Sequence, residues 1–485
     1  MKEYHVTHLK TDHIHVKVPG SKSITNRALL IASLACGTSV IKGTLASDDS
    51  RHFLDSLVKL GINVSEDKTG IIIKGTGGII PEKNAEIDVG SAGTAARFLT
   101  AMLALSDGEY AVNASPQMQK RPMAELLCAL EDLGAKFEYM NEDHALPFRV
   151  TGRKNPKIFQ DSTYVDSVVS DSAYAGNSDA GDTLGNVSDS GNTGMAKHPE
   201  YLVSLNIDRS SQFLSALLMT APMLDGPLTI ELTGKRTARS YVGITINMMK
   251  DFGVYVENPS EDVYTVKSVD DPLREDAESD RSTNQRVNSY VAREYMCEPD
   301  VSAACYYYAM AAVTGKEAVV DNIYRSSMQG DIRFVDILEK MGCMVRDMPE
   351  GVSVKGTGRL TGIDVDMSDC SDQTMTLAAI APYADSPVTI RGVGHIRKQE
   401  SDRIAAVADA LSNMGVGYEE YEDGIKIMPG IPNPAHINTY EDHRMAMAFA
   451  VTGLCTEGIV INDPDCCAKT FPEYFKILDS LTDKN

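Results

Sequence analysis

Residues 55–65 read Asp55-Ser-Leu-Val-Lys-Leu-Gly61-Ile-Asn-Val-Ser65. The first half carries apolar residues at helical spacing, and the residues after Gly61 alternate as one half-buried strand face requires. A glycine at such a junction takes the left-handed conformation that ends a helix and that other residues resist. The stretch predicts a helix, a tight reversal and a strand. The same arrangement returns in residues 128–138 around Gly134, 247–257 around Gly253, 337–346 around Gly342 and 410–420 around Gly415. Residues 471–481 look like a sixth helix cut short before its strand.

The five glycines are separated by 73, 119, 89 and 73 residues. A unit of about 73 residues is too large for a solenoid repeat and fits a small α/β subdomain. The two longer intervals contain stretches that look inserted. Residues 153–200 are rich in Ser, Asp, Gly and Asn, and residues 268–292 are charged and polar. Both read as flexible excursions from a repeated core. Deletion of 156–198 is expected to leave a folded, active protein. One Leu-Gly junction is a common feature of helix-to-strand connections; five in comparable context describe a repeat.

Bulk properties agree. A chain of 485 residues exceeds one ordinary core and predicts two domains. The net charge of −22, with no long basic run, argues against nucleic acid or a membrane surface as partner. The N-terminus has no apolar core of a secretory signal, and no apolar run approaches the roughly 20 residues of a membrane span. The nine cysteines show no CxxC spacing, and Cys466 and Cys467 are adjacent. They read as free thiols in a reducing, cytoplasmic setting. His5, His8, His13 and His15 lack a ligand spacing and read as exposed strand residues, so no metal is expected.

Chemistry concentrates at helix entrances. Val18-Pro-Gly-Ser-Lys22-Ser23-Ile-Thr-Asn-Arg27-Ala-Leu-Leu30 sets a turn, two cations and a hydroxyl before an apolar helical run. A helix starting near Ser23 would gather them where free N–H groups already favour an anion. Asp88-Val-Gly-Ser-Ala-Gly93-Thr-Ala-Ala-Arg97 is a glycine-rich turn into a helix, neither a Walker A loop nor GxGxxG. Lys120-Arg121-Pro122 and Ser210-Ser211-Gln212 precede further helices. Gly330-Asp331 places a carboxylate at another helix start; Lys398-Gln399-Glu400-Ser-Asp-Arg403, Glu441-Asp442-His443-Arg444 and Lys469 add dense charge before apolar stretches. Alone, each segment fits a capped helix with surface cations. Together, in an acidic protein, they describe a cleft closing on small anionic substrates, with Asp331 and Glu400 as acid/base groups.

With these segments in view, the chain resembles the EPSP synthase (3-phosphoshikimate 1-carboxyvinyltransferase) family. PGSKSxxNRALLxA, xAGTAxRF, QxxxRPM, SSQFxSALLM, GDIRFVDxLEKMG, ESDRI, DHRMAMAFA and AKTFPEYF occur in the family's order from about residue 17 to 480. The resemblance implies an α/β (α+β) fold of two similar lobes, each of three βαβαββ units, an inside-out α/β barrel. The lobes would be 21–297, and 1–20 with 298–485. The implied reaction is enolpyruvyl transfer from phosphoenolpyruvate to the 5-hydroxyl of shikimate 3-phosphate, without a cofactor. The enzyme would be a monomer and a glyphosate target. By resemblance, Asp331 would accept the hydroxyl proton, while Glu400 and Lys22 would handle the proton at the phosphoenolpyruvate carbon. Lys22, Gly93, Arg121, Arg403, Arg444 and Lys469 would hold phosphoenolpyruvate. Ser23, Arg27, Ser210, Ser211 and Gln212 would hold shikimate 3-phosphate.

Two departures stand out. The family often has Lys where this chain has Gln399, with Lys398 one residue earlier, and often Ser where this chain has Ala238, beside Arg239. Lys398, Gln399 and Arg239 are counted with the substrate-binding set. The sister enzyme acting on UDP-N-acetylglucosamine is disfavoured: residues 115–120, Ser-Pro-Gln-Met-Gln-Lys, lack its usual Cys, and Lys22 is followed by Ser23 rather than Asn. A non-catalytic anion-binding relative is disfavoured by the joint presence of Lys22, Asp331, Glu400 and Arg444.

Overall fold

A computed structural model describes residues 2–153, 199–234, 239–267 and 289–483, with the backbone alone at Arg239. Ala238, the 156–198 deletion and all but the ends of the excursions 153–200 and 268–292 lie outside these residues. Where the first excursion leaves and returns, Arg153 donates to the Tyr201 hydroxyl at 2.6 Å, so the core closes across it.

The described strands form five four-stranded sheets and one three-stranded sheet. One unit shows the plan. Strand Asn84–Asp88 leads through helix Gly93–Ala104 to the parallel strand Glu109–Asn113, and helix Ala124–Asp132 then feeds the hairpin Lys136–Tyr139 and Phe148–Thr151. The reversal after its second helix is set by Gly134 at φ 101°. The Gly134 N–H bonds the carbonyl of Glu131 and the Ala135 N–H that of Leu130, which satisfies two carbonyls at the helix end. Gly61, Gly253, Gly342 and Gly415 all have positive φ and make the same pair of bonds. The residue after each of the five glycines is buried, so each turn also pins a strand to the core.

Two units are shared between distant parts of the chain. Strand His13–Val16 pairs in parallel with Glu317–Val320, and Glu294–Met296 pairs in parallel with Cys36–Lys42. The two crossings run side by side: Ser21 N–H bonds the Glu298 carbonyl at 2.9 Å, and Asp300 N–H bonds that of Pro19 at 2.8 Å. Gly20 sits between them, where a Cβ would lie 1.8 Å from the Gly43 carbonyl oxygen, so only glycine fits. The sixth unit is completed by the N-terminus. Strand Glu3–His5 pairs antiparallel with Ile459–Asn462, taking the place of the strand that the C-terminal helix Tyr474–Leu481 lacks.

Two hydrophobic cores result, one from residues 24–297 and one from residues 6–18 with 301–478. Each is built on three nearly buried helices. They are Lys22–Leu34, Gly93–Ala104 and Gln212–Thr220 in the first, and Val301–Thr314, Thr374–Ile380 and His443–Gly453 in the second. Helices buried all round are mostly apolar, and the charged side chains here, such as Arg27, Arg97 and His443, sit toward the N-terminal ends. Truncating a fully buried Leu99 to Ala would cost about 2–5 kcal/mol. No helix among the described residues is long and apolar enough to cross a membrane.

Candidate active site

The N-termini of the six buried helices border two adjoining pockets between the lobes, the larger enclosing about 900 Å³ of open space. The two lobes finish these helices differently. Ser21, Ala92 and Ser211 precede the three helices of the first lobe, and none makes a side-chain cap bond. Ser210 Oγ instead accepts from the Gln212 N–H at 3.3 Å, while the first N–H groups of the other two helices have no side-chain cap and favour an anion. In the second lobe Asp300 accepts from the Ser302 N–H, Asp442 accepts from the Arg444 N–H, and Asp372 lies in the turn Ser371–Gln373 ahead of Thr374–Ile380. One wall is therefore electropositive and the other carries carboxylates.

On the electropositive wall, Lys22, Ser23, Gly93, Arg121, Ser210, Ser211 and Gln212 line the larger pocket. Lys22 Nζ lies 3.3 Å from Asp49. Arg121 Nε is buried without a hydrogen-bond partner, and its guanidinium packs on Gly93, where a Cβ would come within 2.7 Å of Nη1. A half-buried guanidinium with an unsatisfied Nε, beside a glycine and free helix N–H groups, is suited to an oxyanion. Arg97 stands behind it and donates to Gln212 Oε1 at 2.7 Å and to the Pro122 carbonyl at 2.9 Å, which aims the Gln212 side chain.

On the opposite wall, Asp372 accepts from Arg444 at 2.7 Å, Arg403 at 2.9 Å and the Tyr241 hydroxyl at 2.6 Å. Burial presses its pKa upward, but Arg444 and Arg403 outweigh burial and hold it below the ordinary carboxylate range. Arg403 also donates to Asp442 at 2.8 Å and to Gln399. Glu400 lies 3.0 Å from His443 Nδ1 and 3.3 Å from Lys469 Nζ. Burial opposes its ionisation, and the charges of Lys469 and His443 prevail, so Glu400 is held well below its ordinary range. Burial in turn lowers the His443 pKa despite Glu400. Glu400 Oε2, His443 Nδ1 and Lys469 Nζ stand at ion-pair distance but without hydrogen-bond alignment, so this buried trio keeps unused bonding capacity.

Three expected site residues do not border the larger pocket. Asp331 borders only the smaller pocket, where Ser302 and Gln373 donate to its Oδ2, the latter at 2.9 Å. Burial, then the neighbouring Asp372, raises its pKa to about 6. The carboxylate that faces the larger pocket from this region is Asp372. Arg27 lines neither pocket: it is buried and donates to Thr245 at 2.7 Å, the Ser23 carbonyl at 2.9 Å and Ser215 at 3.2 Å, with Phe98 under its guanidinium. Lys469 also lies behind the pocket wall, against Glu400. Lys398, Gln399, Glu400, Arg403 and Arg444 all border the larger pocket. The Arg239 side chain lies outside the described residues.

The chain matches the family described as EPSP synthase (3-phosphoshikimate 1-carboxyvinyltransferase) over residues 10–173 and 197–478. It is 43% identical to the 3-phosphoshikimate 1-carboxyvinyltransferase of Trichormus variabilis, covering 95% of this chain and 94% of that one. It is 37% identical to that of Shewanella baltica strain OS195, covering 96% of each. The chain belongs to the EPSP synthase family. Its two-lobed fold is that of the EPSP synthase of Acinetobacter baumannii, with a TM-score of 0.73 at 22% identity over 99% of this chain and 98% of the other.

For this member of the EPSP synthase family, the internal repeat held a signal that motif reading missed. Ser211-Gln212 and Ser371-Asp372 stand 160 residues apart, each followed by Ala-Pro (Ala221-Pro222, Ala381-Pro382) and by Pro-x-Thr-Ile at 227–230 and 387–390. Aligning the halves places Asp372 opposite Gln212 and marks it as a cleft residue. Tyr241, Arg209, His395 and His443, none of them among the expected substrate-binding residues, border the same pocket.

Proposed function

We propose that this chain transfers the enolpyruvyl group of phosphoenolpyruvate to the 5-hydroxyl of shikimate 3-phosphate, releasing phosphate. The observation that carries this reading is the opposition of Arg121, whose buried Nε is unsatisfied, and two helix N-termini without a side-chain cap to Asp372 and Glu400 across one cleft. The family's names supply the substrates, and the cleft supplies the chemistry. The donor must gain a proton at its methylene carbon while the acceptor hydroxyl loses one, and phosphate must then leave.

In this reading Arg121, Lys22 and Gly93 receive the phosphate of phosphoenolpyruvate, with Arg403 and Arg444 near its carboxylate and Lys469 acting through Glu400. Ser23, Ser210, Ser211, Gln212 and Tyr241 hold shikimate 3-phosphate. Arg27 positions the helix start beneath Ser23, Lys398 and Gln399 lie toward the acceptor, and Arg239 is assigned to the acceptor by the family resemblance alone. Asp372, ionised and facing the cleft, takes the hydroxyl proton. Lys22 and Glu400 handle the proton at the methylene carbon: the Lys22 ammonium gives it, and ionised Glu400 takes one back as phosphate leaves. Asp331 supports Gln373 and through it the turn that carries Asp372. The lobes are taken as 21–297, and 1–20 with 298–485, in a cytoplasmic monomer.

The test is phosphate release from phosphoenolpyruvate with shikimate 3-phosphate or UDP-N-acetylglucosamine as acceptor. Release is expected with the former alone. Asp372→Ala should lower turnover by about 10³-fold, within the range of a lost general base. Release with neither acceptor from folded protein would sink the reading, and a larger loss in Asp331→Ala than in Asp372→Ala would return the base to Asp331.

A further inference from the structure

We infer that Cys128, Glu131 and His144 form a zinc site on the outside of the first lobe, apart from the cleft. Cys128 and Glu131 are three residues apart on helix Ala124–Asp132, so they share one face. Leu126, Leu127, Ala129 and Leu130 bury the other face. The loop before strand Phe148–Thr151 lays His144 over the exposed face, and one ligand atom from each of the three residues lies within 4.8 Å of the others. Ligand atoms around a tetrahedral zinc stand about 3.5 Å apart, so small rotations of exposed side chains close the triad on an ion.

The surrounding groups are arranged as outer ligands usually are. The Tyr139 hydroxyl donates to Glu131 Oε1 at 2.8 Å, which leaves Oε2 turned to His144 Nε2 at 3.4 Å. The His144 ring lies against Tyr139, with centroids 5.0 Å apart. A phenol that orients the carboxylate and a ring that rests on that phenol fix two of the three ligands from outside the coordination sphere. Glu125 and Asp132 lie near Cys128, and Asp143 near Tyr139, so the local field favours a dication. A thiol, an imidazole and a carboxylate together select a borderline-soft ion over calcium or magnesium. Cys128 is exposed, so a fourth position is open to water. The sequence showed no such site because its ligands follow no CxxC frame and meet only once the hairpin folds back on the helix.

The full chain, stripped with chelator, is titrated with Co²⁺ and then with Zn²⁺ while absorbance is followed. The expected result is a single Co²⁺ equivalent with a thiolate charge-transfer band, displaced by Zn²⁺. Cys128→Ser should remove the band and weaken Zn²⁺ binding by about 100-fold, and His144→Ala should weaken it by at least about 10-fold. Cys36→Ser, at the other exposed cysteine, should change neither. Thermal melts of the metal-free variants check that each is folded. Zn²⁺ binding by Cys128→Ser as tight as that of the parent, or no thiolate band in the parent, overturns the assignment.

Discussion

Tyr241 of one lobe donates its phenol to Asp372 of the other at 2.6 Å. Burial first, and then Asp372 itself, raise the Tyr241 pKa well above its ordinary value, so the phenol stays protonated and remains a donor. Its neighbour Ser240 donates to the Asp369 carbonyl at 2.9 Å, so two adjacent residues bind the second lobe at the edge of the cleft. A hydrogen bond to a charged group contributes about 1.5–3 kcal/mol. Asp372 keeps Arg444 and Arg403 when the phenol is lost, which places the effect at the low end. Tyr241→Phe should lower kcat/KM by about 10-fold without changing the fold. Steady-state kinetics beside a thermal melt decide it, and an unchanged kcat/KM would remove Tyr241 from the site.

Asp331 makes stability depend on pH in an unusual direction for a carboxylate. Burial and Asp372 lift its pKa from 3.8 to about 6. Between these values the folded protein binds a proton that the unfolded chain has released. The native state therefore loses stability from this group as pH rises through that window. Asp331→Asn cannot titrate, so the difference in stability between parent and variant should tilt toward the variant as pH rises from 4 to 6. Urea unfolding at several pH values measures it. A difference that stays flat, or tilts the other way, would show that Asp331 is ionised throughout.

Much of the fold was legible because its signals are local. Each of Gly61, Gly134, Gly253, Gly342 and Gly415 ends a helix through backbone bonds to residues within the preceding turn, so a short window holds the whole instruction. The glycine-rich and cationic helix starts were legible for the same reason. Five residues along a helix is a rotation of about 140° from Lys22, which turns Arg27 toward the core and leaves no local sign of its burial. Asp331 and Asp372 both precede helices in the same lobe, and motif reading alone singles out only Asp331. Only the packing of one helix start behind another decides which carboxylate meets the cleft. The helix of the sixth unit was legible at 471–481, but its last strand was not, since that strand comes from Glu3–His5 at the other end of the chain.

Gly93 and Arg121 offer a graded perturbation of the anion side. A Cβ on Gly93 would lie 2.7 Å from Arg121 Nη1 and 2.8 Å from its Cζ. These atoms are the far end of a flexible side chain, so the guanidinium moves aside and the fold remains. Displacement of an oriented cation by a fraction of an ångström weakens the anion it holds. Gly93→Ala should raise KM for phosphoenolpyruvate by about 10-fold, leave KM for shikimate 3-phosphate within about 2-fold, and leave the melting temperature unchanged. Equal rises in both KM values would place Arg121 between the substrates rather than on the donor.

Gly134 isolates the conformational role of the repeated glycine from its packing. Its φ is 101°, and the nearest atom a Cβ would meet is the Arg153 Cβ at 3.8 Å, an ordinary contact. Gly134→Ala therefore adds backbone strain and little else, at a cost of about 1–2 kcal/mol. In a lobe of this size that lowers the melting temperature by about 2–4 °C per kcal/mol. At Gly61 the same Cβ would lie 3.0 Å from Pro81 Cβ and 3.3 Å from Glu82 Cγ, so Gly61→Ala adds crowding to a similar strain and should cost more. Both residues lie outside the cleft, and turnover of either folded variant should match the parent. The order of the two melting temperatures is the measurement. A Gly134→Ala variant as stable as the parent would show that the turn tolerates a side chain, and that these glycines serve packing rather than the left-handed backbone.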